Sequence, residues 1–172
     1  MVGNRSNLCF NRIFIIVLLI PAFAKTTTTY DVQFNDSLQG SGDDCYPSPL
    51  EDSSVTLSGV VTAVKSGTYK NFFLQDRTEG QWNGVYFYDY DNSVQPSRGD
   101  SITVTADSAA EYFGMTKIKR VTSYTIHSHN LSLPPPVEIS TRTLAGGCSA
   151  TGEAYEGGLV SARNVVRLCR YL

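Results

Sequence analysis

From residue 55 onward, much of the chain alternates between apolar and polar positions with a period of two. Residues 100–107 do so cleanly, Ile102, Val104 and Ala106 on one side and Thr103 and Thr105 on the other. That is the pattern of a half-buried β-strand. Residues 55–65 predict a longer strand in which Val55, Leu57, Val61 and Ala63 share a face. Gly59 interrupts it and predicts a bulge or a sharp bend. Residues 71–76 predict a second strand beyond the turn Ser66-Gly67-Thr68, and residues 84–90 a third. In that third strand Val85 and Phe87 face the core, while Tyr86, Tyr88 and Tyr90 face out, close to Phe73 and Gln75 of the neighbouring strand.

Phe113-Gly114 marks the tip of a connection, where glycine takes positive φ at no steric cost. Residues 116–127 then mix parities: Ile118, Arg120 and Thr122 in one, Lys117, Lys119 and Val121 in the other. The mixture predicts a bulge or an edge position. Pro134-Pro135-Pro136 ends that strand, residues 137–139 and 158–162 are short strand candidates, and only residues 153–156 predict a helical turn. Five main strands at short spacing, the first strongly bent, predict an all-β chain closed into a small barrel rather than a two-sheet sandwich. The absence of long helices between strands excludes a βαβ arrangement.

The N-terminus reads differently. Arg5 and Arg12 precede an unbroken apolar run at residues 13–20, Pro21 breaks it, and Ala22-Phe23-Ala24 supplies small residues. This is the layout of a secretory signal peptide at 1–24, cut before Lys25. Residues 13–24 give only 12 apolar or small positions against the roughly 20 of a spanning helix, so no stable membrane association is expected after cleavage. Without that segment the formal net charge moves from -2 to -4, because Arg5 and Arg12 are its only charged residues. A strongly basic nucleic-acid binder is thereby excluded. Residues 25–42, rich in Thr and Ser, read as an extended leader to a domain at 43–162, and 163–172 as an atypical basic tail.

In an oxidising, extracellular setting the cysteines take on meaning. Cys9 leaves with the signal, and Cys45, Cys148 and Cys169 remain. Cys45 and Cys148 flank the strand-rich region, so a Cys45–Cys148 disulfide tying its two ends is the expected pairing, with Cys169 left over. Closing a loop of roughly 100 residues stabilises by up to about 4–5 kcal/mol in the chain-entropy model. Asn35-Asp36-Ser37 and Asn130-Leu131-Ser132 match the glycosylation sequon, which predicts a glycoprotein if the source is eukaryotic.

An ordered series of segments carries a resemblance. Val60-Val61-Thr62-Ala63-Val64, Phe72-Phe73-Leu74-Gln75-Asp76, Gly84-Val85-Tyr86-Phe87-Tyr88, Gly99-Asp100-Ser101-Ile102-Thr103-Val104 and Glu111-Tyr112-Phe113-Gly114-Met115-Thr116 follow one another. The series resembles the OB-fold-like domains found N-terminal to the endonuclease/exonuclease/phosphatase domain in large secreted nucleases, over roughly residues 38–164. Leu38-Gln39-Gly40-Ser41-Gly42 and Ala154-Tyr155-Glu156-Gly157-Gly158-Leu159-Val160 share in it. The resemblance implies a small OB-like five-stranded Greek-key barrel with extra short strands and little helix. In that family the segment matching Gly158 onward leads into further domains, whereas here it runs Arg163-Asn164-Val165-Val166-Arg167-Leu168-Cys169-Arg170-Tyr171-Leu172. Nothing in these residues resembles the nuclease catalytic domain, which makes such a domain an expected partner rather than a part of this sequence.

The candidate chemistry is that of binding. Phe73, Gln75, Tyr86, Tyr88 and Tyr90 offer rings and an amide on one barrel face, where base–aromatic stacking is worth about 1–3 kcal/mol per base. Lys117 and Lys119, with Lys65, Lys70 and Arg120, offer phosphate contacts. Against this, tyrosines favour strands and pack across them without any ligand. Asp89, Asp91 and Asp100 lack the spacing of a calcium loop, and His127-Ser128-His129 supplies too few ligands for zinc. No nucleophile elbow, phosphate loop or histidine-based acid–base pair occurs, so neither an enzyme nor a cofactor is expected. The expected function is a secreted, non-catalytic accessory module that binds single-stranded nucleic acid weakly. An extracellular carbohydrate- or protein-binding module, or a structural fragment of a larger secreted enzyme, is the alternative.

Overall fold

The computed structural model describes residues 27–37, 45–69, 71–78, 80–91, 93–144, 149–163 and 165. The expected signal peptide, most of the expected tail, and Cys9, Cys148 and Cys169 lie outside them. In chain order the elements are α1 (Thr29–Gln33), β1 (Val55–Val64), β2 (Phe72–Gln75), β3 (Gly84–Tyr88), β4 (Ser101–Glu111), β5 (Thr116–Ser128) and β6 (Val137–Glu138). A 3₁₀ turn (Thr141–Leu144), α2 (Ala150–Glu153) and β7 (Val160–Ser161) complete them.

Strands β1 to β5 close into a barrel in the order β1-β2-β3-β5-β4. Every neighbouring pair is antiparallel except β3 and β5, which run parallel. Strands β6 and β7 form a separate parallel pair. This is the five-stranded OB-like barrel with extra short strands and little helix that the sequence predicts.

Closure depends on β1, which serves two neighbours. Val55 to Val60 pair with β4, and Val60 to Val64 pair with β2. Gly59 stands at the handover, where a Cβ would lie 2.5 Å from the Gln75 carbonyl oxygen. Close approach of β2 therefore requires glycine there. The register shift itself falls later, between Val61 and Ala63. It turns Ala63 outward, exposed, while Val61 stays buried, which corrects the expectation that the two share the core face.

The barrel interior is filled by the alternating apolar residues. Val55, Leu57, Val61, Phe72, Leu74, Val85, Phe87, Ile102, Val104, Ala106 and Ile118 belong to one buried cluster. Phe72 and Phe87 stack with ring centroids 4.7 Å apart and planes 5° from parallel. Fully burying one such side chain is worth about 1.5–3 kcal/mol. In β5 the expected bulge is present: Thr105 pairs with Ser123 and Ala106 with Val121, leaving Thr122 without an opposite residue.

Several elements depart from the reading of the sequence. Among them are α2 at Ala150–Glu153 and the 3₁₀ turn at Thr141–Leu144, since residues 153–156 alone predict a helical turn. Strand β4 runs on to Glu111 instead of stopping at Asp107. Its Ser108-Ala109-Ala110 stretch has little strand propensity of its own and is held by pairing to Lys117, Ile118 and Lys119 of β5. Strand β3 ends at Tyr88, two residues early. The leader, expected to be extended, contains α1, opened by a capping box in which Thr28 and Asp31 each accept from the other's backbone N–H. Helix α1 buries Val32 in the core cluster, and Gln33 Nε2 donates to the Gly84 carbonyl at 2.8 Å.

Candidate functional site

On the outer surface of β2, β3 and β5 the register assembles rings beside cations. Phe73 pairs with Tyr86, Tyr86 with Lys117 and Tyr88 with Lys119. Since Phe87 and Ile118, the residues between, are both in the core, the paired side chains share the outer face. This is the outward parity expected for Tyr86 and Tyr88, with Phe73 beside them; the side taken by Lys117 and Lys119 follows from the pairing.

The face divides into a packed half and an open half. In the packed half, Tyr86 lies 4.9 Å from the Phe73 ring and is only 6% exposed. Burial pushes its phenol above the usual tyrosine range, opposed by a side-chain hydrogen bond with Asn71. Asn71 is itself buried, and its Oδ1 accepts from the Asp89 backbone N–H at 3.1 Å. Asp89 in turn accepts from Ser93 Oγ at 2.9 Å and from the Val94 N–H at 2.8 Å, which folds the loop after β3. The packed half thus fixes the base of the tyrosine face.

Gln75 requires a correction. It shares the outward parity of Phe73, yet it is 0% exposed. The backbone N–H of Leu159 donates to its Oε1 at 2.8 Å, so the segment leading into β7 lies over it. Gly84, which pairs with Gln75, is covered in the same way, since any Cβ there would overlap the backbone of Gly157 and Gly158. Gln75 is structural, inaccessible to a ligand.

The open half centres on Tyr88. The rings of Tyr69 and Tyr90, 43% and 42% exposed, each stand 6.2 Å from it. Tyr90 thus reaches the face from the turn beyond β3. Lys117 Nζ lies 5.0 Å from the Tyr88 ring centre and 3.3 Å from that of Tyr112. Tyr88, Ala110, Glu111, Tyr112, Lys117 and Lys119 line a groove of about 410 Å³. Burial, then the charges of Lys119 and Lys65, hold the Lys117 ammonium below the usual lysine range. Glu111 accepts from Thr116 Oγ1 at 2.5 Å and from the Ser48 N–H at 3.1 Å.

Tyr69 and Tyr112 escape an assignment from sequence. Tyr112 follows directly on the Ser108–Glu111 stretch whose strand character is hidden, and Tyr69 sits in a turn with no periodicity. Lys70 lies outside the described residues. Arg120 is exposed, with a φ of 57°, and is not among the residues lining the groove. Cys45 is buried and is not a free thiol; Cys148, and with it the expected pairing, lies outside the described residues. Among the described residues no helix is long and apolar enough to cross a membrane.

The fold and this face define a small OB-like barrel bearing an aromatic and cationic groove. No protein-family model matches the chain, and no curated protein sequence matches it. Among solved structures it is similar to the mitochondrial single-stranded DNA binding protein Rim1 from S. cerevisiae. That likeness has 16% identity and a TM-score of 0.39, over 48% of this chain and 100% of that one. It is also similar to a protein described as an aspartyl-tRNA synthetase from Leishmania major Friedlin. There the identity is 14% and the TM-score 0.43, over 87% of this chain and 28% of the other.

Proposed function

We propose that the chain is a non-catalytic module that binds single-stranded nucleic acid through the Tyr88–Lys117 groove. One observation carries this: the exposed rings of Tyr69, Tyr90 and Tyr112 gather around Tyr88 beside Lys117 and Lys119. Stacking platforms next to cations are the means by which unpaired bases and their phosphates are held without reading sequence. The negative net charge of the whole chain opposes approach of a polyanion, so binding is weak and salt-sensitive.

The wider setting belongs to the same proposal. The signal-like residues 1–24 support export, and export supports a Cys45–Cys148 disulfide and glycosylation at Asn35 and Asn130. The resemblance carried by residues 38–164 supports a role beside an extracellular nuclease domain.

Fluorescence anisotropy with labelled single-stranded DNA and RNA of about 15 nucleotides, titrated between low and moderate salt, tests the binding claim. Lys117 and Lys119 neutralising two phosphates give a log–log salt slope of about -1.4, at about -0.7 per phosphate. Absence of binding at low salt overturns the reading. A salt-independent affinity for a neutral oligosaccharide in its place favours the carbohydrate-binding alternative.

A further inference from the structure

The cations of the groove are gathered more closely than an internal phosphodiester requires. Lys117 and Lys119 both line it, and Lys119 and Lys65 stand close enough for their charges to act on Lys117. The Lys117 nitrogen lies over the faces of Tyr88 and Tyr112, which attract an ammonium group. Among the described residues none of these three lysines is in an ion pair. An internal phosphodiester brings one negative charge to such a cluster. A terminal phosphate monoester brings about 1.5 to 2 at pH 7, with three strong acceptor oxygens, and relieves more of the repulsion.

One end of the face is also walled off. Strands β3 and β5 run parallel, so their first residues, Gly84 and Thr116, stand at the same end. Gly157 and Gly158 lie against Gly84, and Glu156 accepts from the N–H of Thr116, directly before Lys117. Leu159 covers Gln75 beside them. Residues 149–161, which build this wall, include Glu153 and Glu156 but no Lys or Arg, so nothing there draws a phosphate across it. At about 410 Å³ the groove lies near the lower end of the roughly 300–1,000 Å³ of pockets that bury one small molecule. That is room for a nucleotide or two, not for a run of them.

We infer that the groove takes the phosphorylated end of a single strand rather than its interior, a reading that rests on the nucleic-acid function above and deepens it. Lys117 and Lys119 hold the terminal phosphate, and Lys65 adds its charge. The exposed rings of Tyr69 and Tyr90, beside Tyr88, receive the adjoining base. The rest of the strand leaves on the side away from the wall. There the negative net charge of the chain offers its phosphates no gain, so added length adds little affinity.

Isothermal titration calorimetry at low salt tests it. The ligands are thymidine dinucleotides and strands of about 15 nucleotides, near the longest site of an OB fold, each with a 5′-phosphate, a 3′-phosphate or neither. A phosphate at one of the two ends is expected to tighten binding by about 10- to 150-fold, the worth of a hydrogen bond to a charged group. The phosphorylated dinucleotide is expected to bind as tightly as the long strand phosphorylated at the same end. Lys117→Gln combined with Lys119→Gln is expected to abolish the preference for phosphate, with the fold checked by thermal unfolding. The wild-type comparison stands even if that variant fails to fold, and a folded variant that keeps the preference overturns the assignment. Strands that bind alike with and without a terminal phosphate, or affinity that climbs with length, overturn the inference and leave the binding function standing. Inorganic phosphate that competes as well as the phosphorylated dinucleotide overturns it too, by showing a site for the anion alone. Failure of every oligonucleotide to bind overturns both.

Discussion

Glu156 accepts a hydrogen bond from the backbone N–H of Thr116 at 2.6 Å, a contact that joins the turn after α2 to the first residue of β5. The joint is built from acids. Burial, followed by the charge of Glu153, raises the Glu156 pKa to about 9, and Glu153 is itself raised, chiefly by burial. At neutral pH Glu156 is a carboxylic acid that donates to Glu153 while still accepting from Thr116. The turn it fastens also carries the Ala154 carbonyl, which accepts from the Trp82 N–H at 2.7 Å.

Proton counting sets the sign of the resulting pH dependence. Folded Glu156 keeps its proton up to about pH 9, whereas the unfolded chain loses it near the ordinary glutamate value of 4.5. Between those values the folded state binds more protons, so stability falls as pH rises, on the order of 1 kcal/mol per unit. Thermal unfolding at pH 5, 7 and 9 is expected to show a declining midpoint. Glu156→Gln keeps the acceptor for Thr116 and removes the ionisation, so its decline is shallower. A variant with the same slope as the wild type would falsify the assignment.

The two halves of the tyrosine face separate under mutation. Tyr86→Ala empties a packed site beside Phe73 and is expected to cost about 3–5 kcal/mol of stability, as a large-to-small core change does. Tyr88→Ala is expected to weaken single-stranded DNA binding by about 5- to 150-fold, the worth of one stacking platform, while lowering the melting point less. Melting curves and anisotropy on both variants decide it. A Tyr86 variant that melts normally yet binds poorly contradicts the division.

Gly84 has no room for a side chain. A methyl group there meets the carbonyl of Gly157, whose own φ of 65° suits glycine. Backbone cannot rotate away as a side chain can, so Gly84→Ala is expected to cost at least about 1–3 kcal/mol. The change should also loosen the cover over Gln75. Urea unfolding measures the first effect, and hydrogen exchange at the Leu159 amide the second. Unchanged protection at Leu159 would show that the cover does not depend on this contact.

Much of the barrel is legible in the residue pattern alone. A period of two is a local property, so Ile102, Val104, Val85 and Phe87 declare their inward side from their neighbours, and Lys117 and Ile118 declare opposite sides in the same way. The bulge in β5 shows in the broken parity of residues 116–127. Helix α1 is hidden because a five-residue helix has no periodicity to show. The end of β4 is hidden because Ser108, Ala109 and Ala110 are strand residues only by virtue of β5.

Sequence by itself determined the five main strands and, for most of their residues, which way the side chain points. Tertiary structure decided what lies on top. Gln75, Tyr86 and Tyr88 share the outer face, yet Leu159 covers the first, Phe73 packs the second, and only the third reaches the groove. The parallel pairing of β3 with β5 brings Tyr88 beside Lys119 and within 5.0 Å of the Lys117 nitrogen. Direction is set by the backbone within a few residues, but cover is set by segments distant in the chain, and no local pattern encodes them.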